Sequence, residues 1–333
     1  MHRNIRFVIP QARAGGPLLD FLIARFTYHD EAGWRTRIAE GRITVNGQAV
    51  LPERVLTAGD ELAYAADDIP EPPMDDRIAL AHLDEELAIV NKSGNLTCHP
   101  GGRYFNHTLW ALLKTRHGIA DPTFVNRIDR ETSGLVVVAR TPAAAKNLRA
   151  QFASRTVGKR YLTLVEGTFP ATRAAAGWIV VDYTGEVLKK RRFALVQTAD
   201  DIDAFAGQPP PAPPDQDAAW AVTGFRLVQR CGPVSLIEAL PHTGRLHQIR
   251  ATLQALGFPI VGDKLYGLDP GWFVRFCQDA LTPDDRQRMR MRRQALHAAG
   301  LRFRHPGTGD TMAFDLPLPA DMQAVVQACA GST

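Results

Sequence analysis

The chain has 333 residues, of which 45% are hydrophobic and 22% are charged. This is the composition of a folded, soluble protein with room for two domains, and it excludes a disordered chain. Lysine and arginine outnumber aspartate and glutamate by 39 to 35, a net charge of +4 that permits a nucleic-acid partner without requiring one.

The apolar runs, such as Leu135-Val136-Val137-Val138-Ala139, are strand-length. They fall far short of the ~20 residues of a membrane span, so no membrane partner is expected. The start at Met1-His2-Arg3-Asn4 lacks the long apolar region and small-residue cleavage site of a signal peptide, so a cytoplasmic location is expected. Cys98, Cys231, Cys277 and Cys329 are isolated, without the close pairs of a zinc site. Reduced thiols and no bound metal are the expectation.

In chain order, Leu18, Leu19, Leu22 and Phe26 follow Pro17 at helical spacing. A second short helix is predicted over 34–40, ended by Gly41. Ile43-Thr44-Val45 and Gln48-Ala49-Val50 flank Asn46-Gly47, the pair that best closes a two-residue hairpin. A strand at 61–64 follows the Gly59-Asp60 turn. Residues 67–76 then hold three prolines and four aspartates, which cannot form a core element. The expected division is a module at 1–66, a linker at 67–77 and a body at 78–333.

The body is predicted to open with a buried strand at 87–91 and a helix near 109–115. The apolar strand at 135–139 follows, then a helix near 143–152 and a strand at 161–166. Gly207-Gln208-Pro209-Pro210-Pro211-Ala212-Pro213-Pro214 reads as an exposed, stiff insert within about 200–219. Strands near 222–228 and 235–240 precede a helix near 247–256. Helices and strands mix without a regular βαβ repeat, so the fold class is α+β.

Three segments combine charge with turn chemistry beside apolar elements: Asn126-Arg127-Ile128-Asp129-Arg130-Glu131-Thr132-Ser133-Gly134-Leu135, Gly158-Lys159-Arg160-Tyr161, and Thr243-Gly244-Arg245-Leu246-His247-Gln248-Ile249-Arg250. In the first, two arginines flank Asp129 and favour its ionised form. Such a carboxylate suits nucleophilic or electrostatic work, although Asp129 and Ser133 also read as ordinary turn residues. In the third, Arg245 and Arg250 are five apart and need not share a helix face. One could pair a carboxylate while the other meets a phosphate.

In order and spacing, these segments resemble the signature motifs of the RluA-type RNA pseudouridine synthases. Pro259 to Gly267 and Leu296-His297-Ala298 running to His305-Pro306 agree as well, so the resemblance covers essentially all of 77–320. It implies a pseudouridine synthase fold with a central mixed, mainly antiparallel sheet flanked by helices. It implies an isomerase that needs no cofactor and acts on structured RNA, ribosomal or transfer, with a monomer expected. Asp129 matches the catalytic aspartate, and Arg250 the arginine paired with it. Tyr161 matches the aromatic residue that stacks on the flipped base and takes part in proton removal. Arg127 matches the arginine that fills the gap left by the base, and Ile249 the aliphatic side chain packed against it. Lys159, Arg245 and His247 belong to the matching motifs and are expected to bind RNA. Asn126 stands where most members of the family have His, and this puts local hydrogen bonding and substrate preference in doubt.

Residues 1–66 resemble the alpha-L RNA-binding module often fused to these enzymes. That likeness implies that Arg35, Arg37 and Arg42 face phosphates. Five arginines in the eight residues 286–293 could grip the RNA backbone or form a solvated helix face. The competing reading is an RNA-binding or chaperone protein that keeps the fold without essential catalysis. Asp129, Tyr161 and Arg250 together speak against it. A hydrolase has little support, since no nucleophile elbow or zinc-binding helix motif is present.

Overall fold

The computed structural model describes every residue except Thr27, 184–186, 188–189, 206–207 and 331–333. Gly207, the first residue of the proline-rich stretch, lies outside the described residues. Residues 208–217 are exposed and form neither helix nor strand.

The chain forms two compact units, Met1–Pro73 with His99–Leu112, and Met74–Cys98 with Leu113–Thr333. This grouping departs from the division expected at 66 and 77, and the side chains explain it. Ile69 is buried, and the Glu71 carboxylate accepts the backbone N–H groups of Phe105, Asn106 and His107 at 2.7–2.8 Å. Residues 67–73 are therefore fastened into the N-terminal unit rather than free.

In the N-terminal unit, β1 (Asn4–Val8), α1 (Leu18–Arg25), α2 (Glu31–Ala39), β2 (Ile43–Val45), β3 (Gln48–Ala49) and β4 (Glu61–Ala65) follow in order. The strands form an antiparallel sheet in the order β1-β4-β2-β3. Asn46 and Gly47 both have positive φ, as the hairpin turn requires. Leu18, Leu22, Trp34, Ile43, Leu62 and Tyr64 are fully buried between helices and sheet.

The larger unit begins with β5 (Ile78–Leu83) and β6 (Leu87–Lys92); α3 (Leu109–His117) and β7 (Thr123–Phe124) come next in the chain. Then come β8 (Ser133–Ala139), α4 (Pro142–Ala153), β9 (Gly158–Glu166), β10 (Thr172–Val181) and β11 (Arg191–Ala199). The chain continues through β12 (Ala219–Cys231), β13 (Val234–Pro241), α5 (Gln248–Ala255), α6 (Trp272–Cys277) and α7 (Pro283–Met289). It ends with β14 (Leu296–Arg304), β15 (Thr311–Asp315) and α8 (Ala320–Ala330). The main sheet runs β11-β10-β12-β13-β9-β14-β8-β6-β5, with β15 on β14 and β7 on β8. Among these pairings only β14 with β8 is parallel, so the sheet is mixed and mainly antiparallel.

Every residue of β8 is buried, as a valine-rich strand covered on both faces should be. One face carries α4, whose Ala144, Ala145 and Leu148 pack with Ile89, Leu135 and Val137. Thr141 caps α4 by accepting the Ala144 N–H, and Pro142 supplies the first-turn φ. Helix α5 packs Ile249 and Leu253 against Leu164, Phe225 and Leu236. No helix among the described residues is long and apolar enough to cross a membrane.

Candidate active site

A cleft in the larger unit is lined by Arg127, Asp129, Lys159, Tyr161, Arg245, His247, Ile249 and Arg250. The structure therefore brings together residues from all three sequence segments. Arg35, Arg37 and Arg42 belong to the N-terminal unit and are not among them.

Asp129 sits on the turn that leads into β8, closed by the Thr132 N–H donating to the Asp129 carbonyl. Gly134, just inside the strand, has φ +111°, and a Cβ there would lie 2.2 Å from the Ala298 carbonyl oxygen. Only glycine lets β8 approach β14 this closely. Asn126 Oδ1 accepts the Val137 N–H at 2.7 Å, so the residue that departs from the family pattern ties the start of this loop to β8.

Arg250 projects from α5 and is buried. Its Nη1 donates to Asp129 Oδ2 at 2.7 Å. Its Nε and Nη2 form a fork on Asp263 at 2.7 and 2.9 Å. Asp263, fully buried, also accepts the N–H groups of Leu265 and Tyr266. The arginine is thus fixed before it meets Asp129. Burial alone would raise the Asp129 carboxyl, but Arg250, then His247 and the hydrogen bonds from Arg250 and Gln294, outweigh it and hold the group below the usual carboxylate range.

Tyr161 lies on β9, between Ala239 of β13 and Ala298 of β14. Burial, and then the charge of Asp129, push its phenol up to about 12. A phenol so held is protonated at neutral pH. Lys159 Nζ donates to the Thr243 carbonyl at 2.9 Å. Burial, then Arg155 and Arg245, lower it to about 8. None of Arg127, Lys159 and Arg245 has a carboxylate partner among the described residues.

The supporting groups were missed in the sequence. Gln294 donates to Thr132 Oγ1 at 2.6 Å and to Asp129 Oδ2 at 3.4 Å. Lys264 bridges both oxygens of Glu131 at 2.9 and 3.0 Å. Asp263 and Lys264 stand in the stretch matched at 259–267, a signal that marked them without giving a role; Gln294 had no signal. The arginine-rich stretch is not a uniform cationic face. Arg293 is buried on Asp321 at 2.7 and 2.8 Å, and Arg290 pairs with Glu166 at 3.3 Å. In the N-terminal unit, Arg35 pairs with Glu31 and Glu53, Arg37 with Asp68, and Arg42 with Glu40 and Asp68. Among the described residues no three His, Cys, Asp or Glu side chains gather as metal ligands do.

The architecture is that of the pseudouridylate synthases. The structure of human RNA pseudouridylate synthase domain containing 1 matches it with a TM-score of 0.54 and 23% identity, over 79% of this chain and 98% of that one. A family model described as RNA pseudouridylate synthase matches residues 86–255. A Chlorobaculum parvum protein described as an uncharacterized RNA pseudouridine synthase is 34% identical over 303 residues, 87% of this chain and 86% of its own. Ribosomal large subunit pseudouridine synthase D of Zymomonas mobilis is 33% identical over 270 residues, 77% of this chain and 76% of its own. The chain belongs to the RNA pseudouridylate synthase family, within its RluA-type branch, and is an isomerase.

Proposed function

We propose that the protein converts uridine to pseudouridine in structured RNA, with Asp129 as the catalytic carboxylate. The observation that carries this reading is the Asp129–Arg250–Asp263 chain. It buries an arginine between two carboxylates, at a desolvation cost that a protein made only for binding has no need to bear. Its effect is an ionised carboxylate that still opens on the cleft. The reaction breaks the bond from ribose to uracil nitrogen and rejoins the base through carbon 5. It moves no electrons to or from an outside acceptor, so it requires no redox cofactor.

The target base must leave its stack, at a cost of a few kcal/mol. Arg127 is exposed and has no carboxylate partner among the described residues, which suits it to enter the vacated space. Tyr161 and Ile249 line the cleft as a platform for the base, and stacking on an aromatic ring offsets roughly 1–3 kcal/mol. Lys159 and Arg245 are the cations available for phosphates. The N-terminal unit is read as an RNA-binding module of the alpha-L type. The Zymomonas mobilis relative is named for the large ribosomal subunit, which makes ribosomal RNA the first substrate to test, ahead of transfer RNA.

Asp129→Asn should abolish product while RNA binding stays within about threefold, because the substitution keeps the shape and removes the charge. Retained turnover in this variant overturns the assignment. Mapping pseudouridine in cellular RNA with and without the protein identifies the substrate.

A further inference from the structure

The two oxygens of Asp129 are used unequally. Oδ2 takes Arg250 Nη1 at 2.7 Å and Gln294 Nε2 at 3.4 Å. Oδ1 has no hydrogen-bond partner among the described residues, and His247 Nε2 faces it at 3.9 Å. We propose that His247 Nε2 and Asp129 Oδ1 together hold the 2′-hydroxyl of the target nucleotide, so that this pair reads the sugar as ribose. The inference rests on the reading of Asp129 as the group that engages that sugar.

The state of His247 is set by its neighbours. Tyr266, fully buried, accepts the Arg191 N–H on its hydroxyl oxygen at 2.8 Å. We assign its own proton to His247 Nδ1, 2.9 Å away, the one acceptor recorded for it among the described residues. A neutral imidazole that accepts at Nδ1 carries its proton on Nε2, the atom that faces Asp129. Burial and then the Arg250 charge keep the ring neutral, lowering its pKa to about 4. The ring packs edge-on against Tyr266 with centroids 5.5 Å apart, and its backbone adopts φ 56° at the start of α5. The donor is therefore fixed in place without any direct bond to the carboxylate.

A gap of 3.9 Å is too long for a direct hydrogen bond but fits one bridging oxygen. With bonds of about 2.9 Å to the nitrogen and about 2.7 Å to the carboxylate, the angle at that oxygen is about 90°. The bridging group must accept from N–H and donate to a carboxylate. Carbonyl and ether oxygens only accept, whereas a hydroxyl does both. The ribose hydroxyl closest to the bond that breaks is the 2′-hydroxyl, on the carbon next to the anomeric centre. It is also the group by which a protein tells RNA from DNA.

The test is single-turnover kinetics on an RNA containing the mapped target uridine and on the same RNA with one 2′-deoxyuridine at that position. Wild type, His247→Ala and His247→Gln are compared, the last keeping an N–H donor at similar reach. The deoxy substitution should slow the wild type by about 10²-fold or more, as expected of a site built around a hydroxyl. In His247→Ala that penalty should shrink at least about tenfold, and His247→Gln should restore most of it. Each penalty is a ratio within one variant, so a partly unfolded preparation does not mimic the result. An equal penalty in wild type and His247→Ala overturns the inference and assigns the gap to water. No turnover by wild type on ordinary RNA overturns the proposed function instead.

Discussion

In the N-terminal unit, Arg35, Arg37 and Arg42 each close an ion pair with a carboxylate of the same unit. In the larger unit, Arg127, Lys159 and Arg245 face the cleft with no such partner among the described residues, and Arg250 is held between two carboxylates. Both sets look alike in the sequence, as basic residues inside family motifs. The difference teaches that a motif supplies a cation but the fold decides whether its charge is available. On the proposed function three uses follow: surface pairing, presentation to a ligand, and fixing a reactive group. Their expected consequences differ in size.

The largest effect belongs to the clamp. Arg250→Ala leaves Asp263 buried and unpaired, which should destabilise the fold by about 3–5 kcal/mol. It should also slow turnover by about 10²-fold or more, since Asp129 loses the charge that keeps it ionised. Chemical denaturation and single-turnover rates check both parts, and a stable variant with near-normal rates breaks the clamp reading.

Acid gives the next effect. His247 and His297 are both held neutral by burial, with pKa lowered to about 4 from 6.5. Below pH 6.5 the unfolded chain takes up protons that the folded chain refuses. Stability present above pH 6.5 is therefore lost as pH falls toward about 4. The thermal midpoint should drop steadily across that window. A flat profile would return these histidines to solvent-like behaviour.

The presented cations come third. Lys159→Ala and Arg245→Ala should each weaken RNA binding by about tenfold or less and lower the slope of log K against log salt by about 1. An unchanged salt slope removes the phosphate role. The smallest effect belongs to the paired surface arginines. An Arg35→Ala/Arg42→Ala double variant should change RNA affinity by less than about threefold, because the exposed pairs leave little net charge to offer. A larger loss would show that RNA opens these pairs. Point variants suit this unit better than truncation at residue 66, because Glu71 fastens residues 105–107 to it.

Much of the site was legible because its parts lie in short local patterns. The run 135–139 reads as a buried strand, and β8 is one. Asn46-Gly47 reads as a hairpin turn and forms it. The motifs around Asp129, Tyr161 and Arg250 meet in one cleft. Strands β10 and β14 were not legible. Ala174-Ala175-Ala176-Gly177 carries little strand propensity, and its place is fixed by pairing with β11 and β12. The supports of Asp129 were hidden for a related reason. Gln294 and Asp263 act across separations that no local pattern encodes. The surroundings of Tyr161, between β13 and β14, are likewise a property of the whole sheet that no local motif carries.

The parallel seam between β8 and β14 has a consequence for how the protein is made. It joins Ser133 and Gly134 to His297 and Ala298, and beside it Arg293 and Gln294 reach back to Glu131 and Asp129. A ribosome has thus synthesised all of the sequence segments that carry Asp129, Tyr161 and Arg250 well before their last supports emerge. Until residues 293–298 leave the exit tunnel, a nascent chain holds the proposed catalytic groups without the seam that sets them, so competence should arrive late in translation.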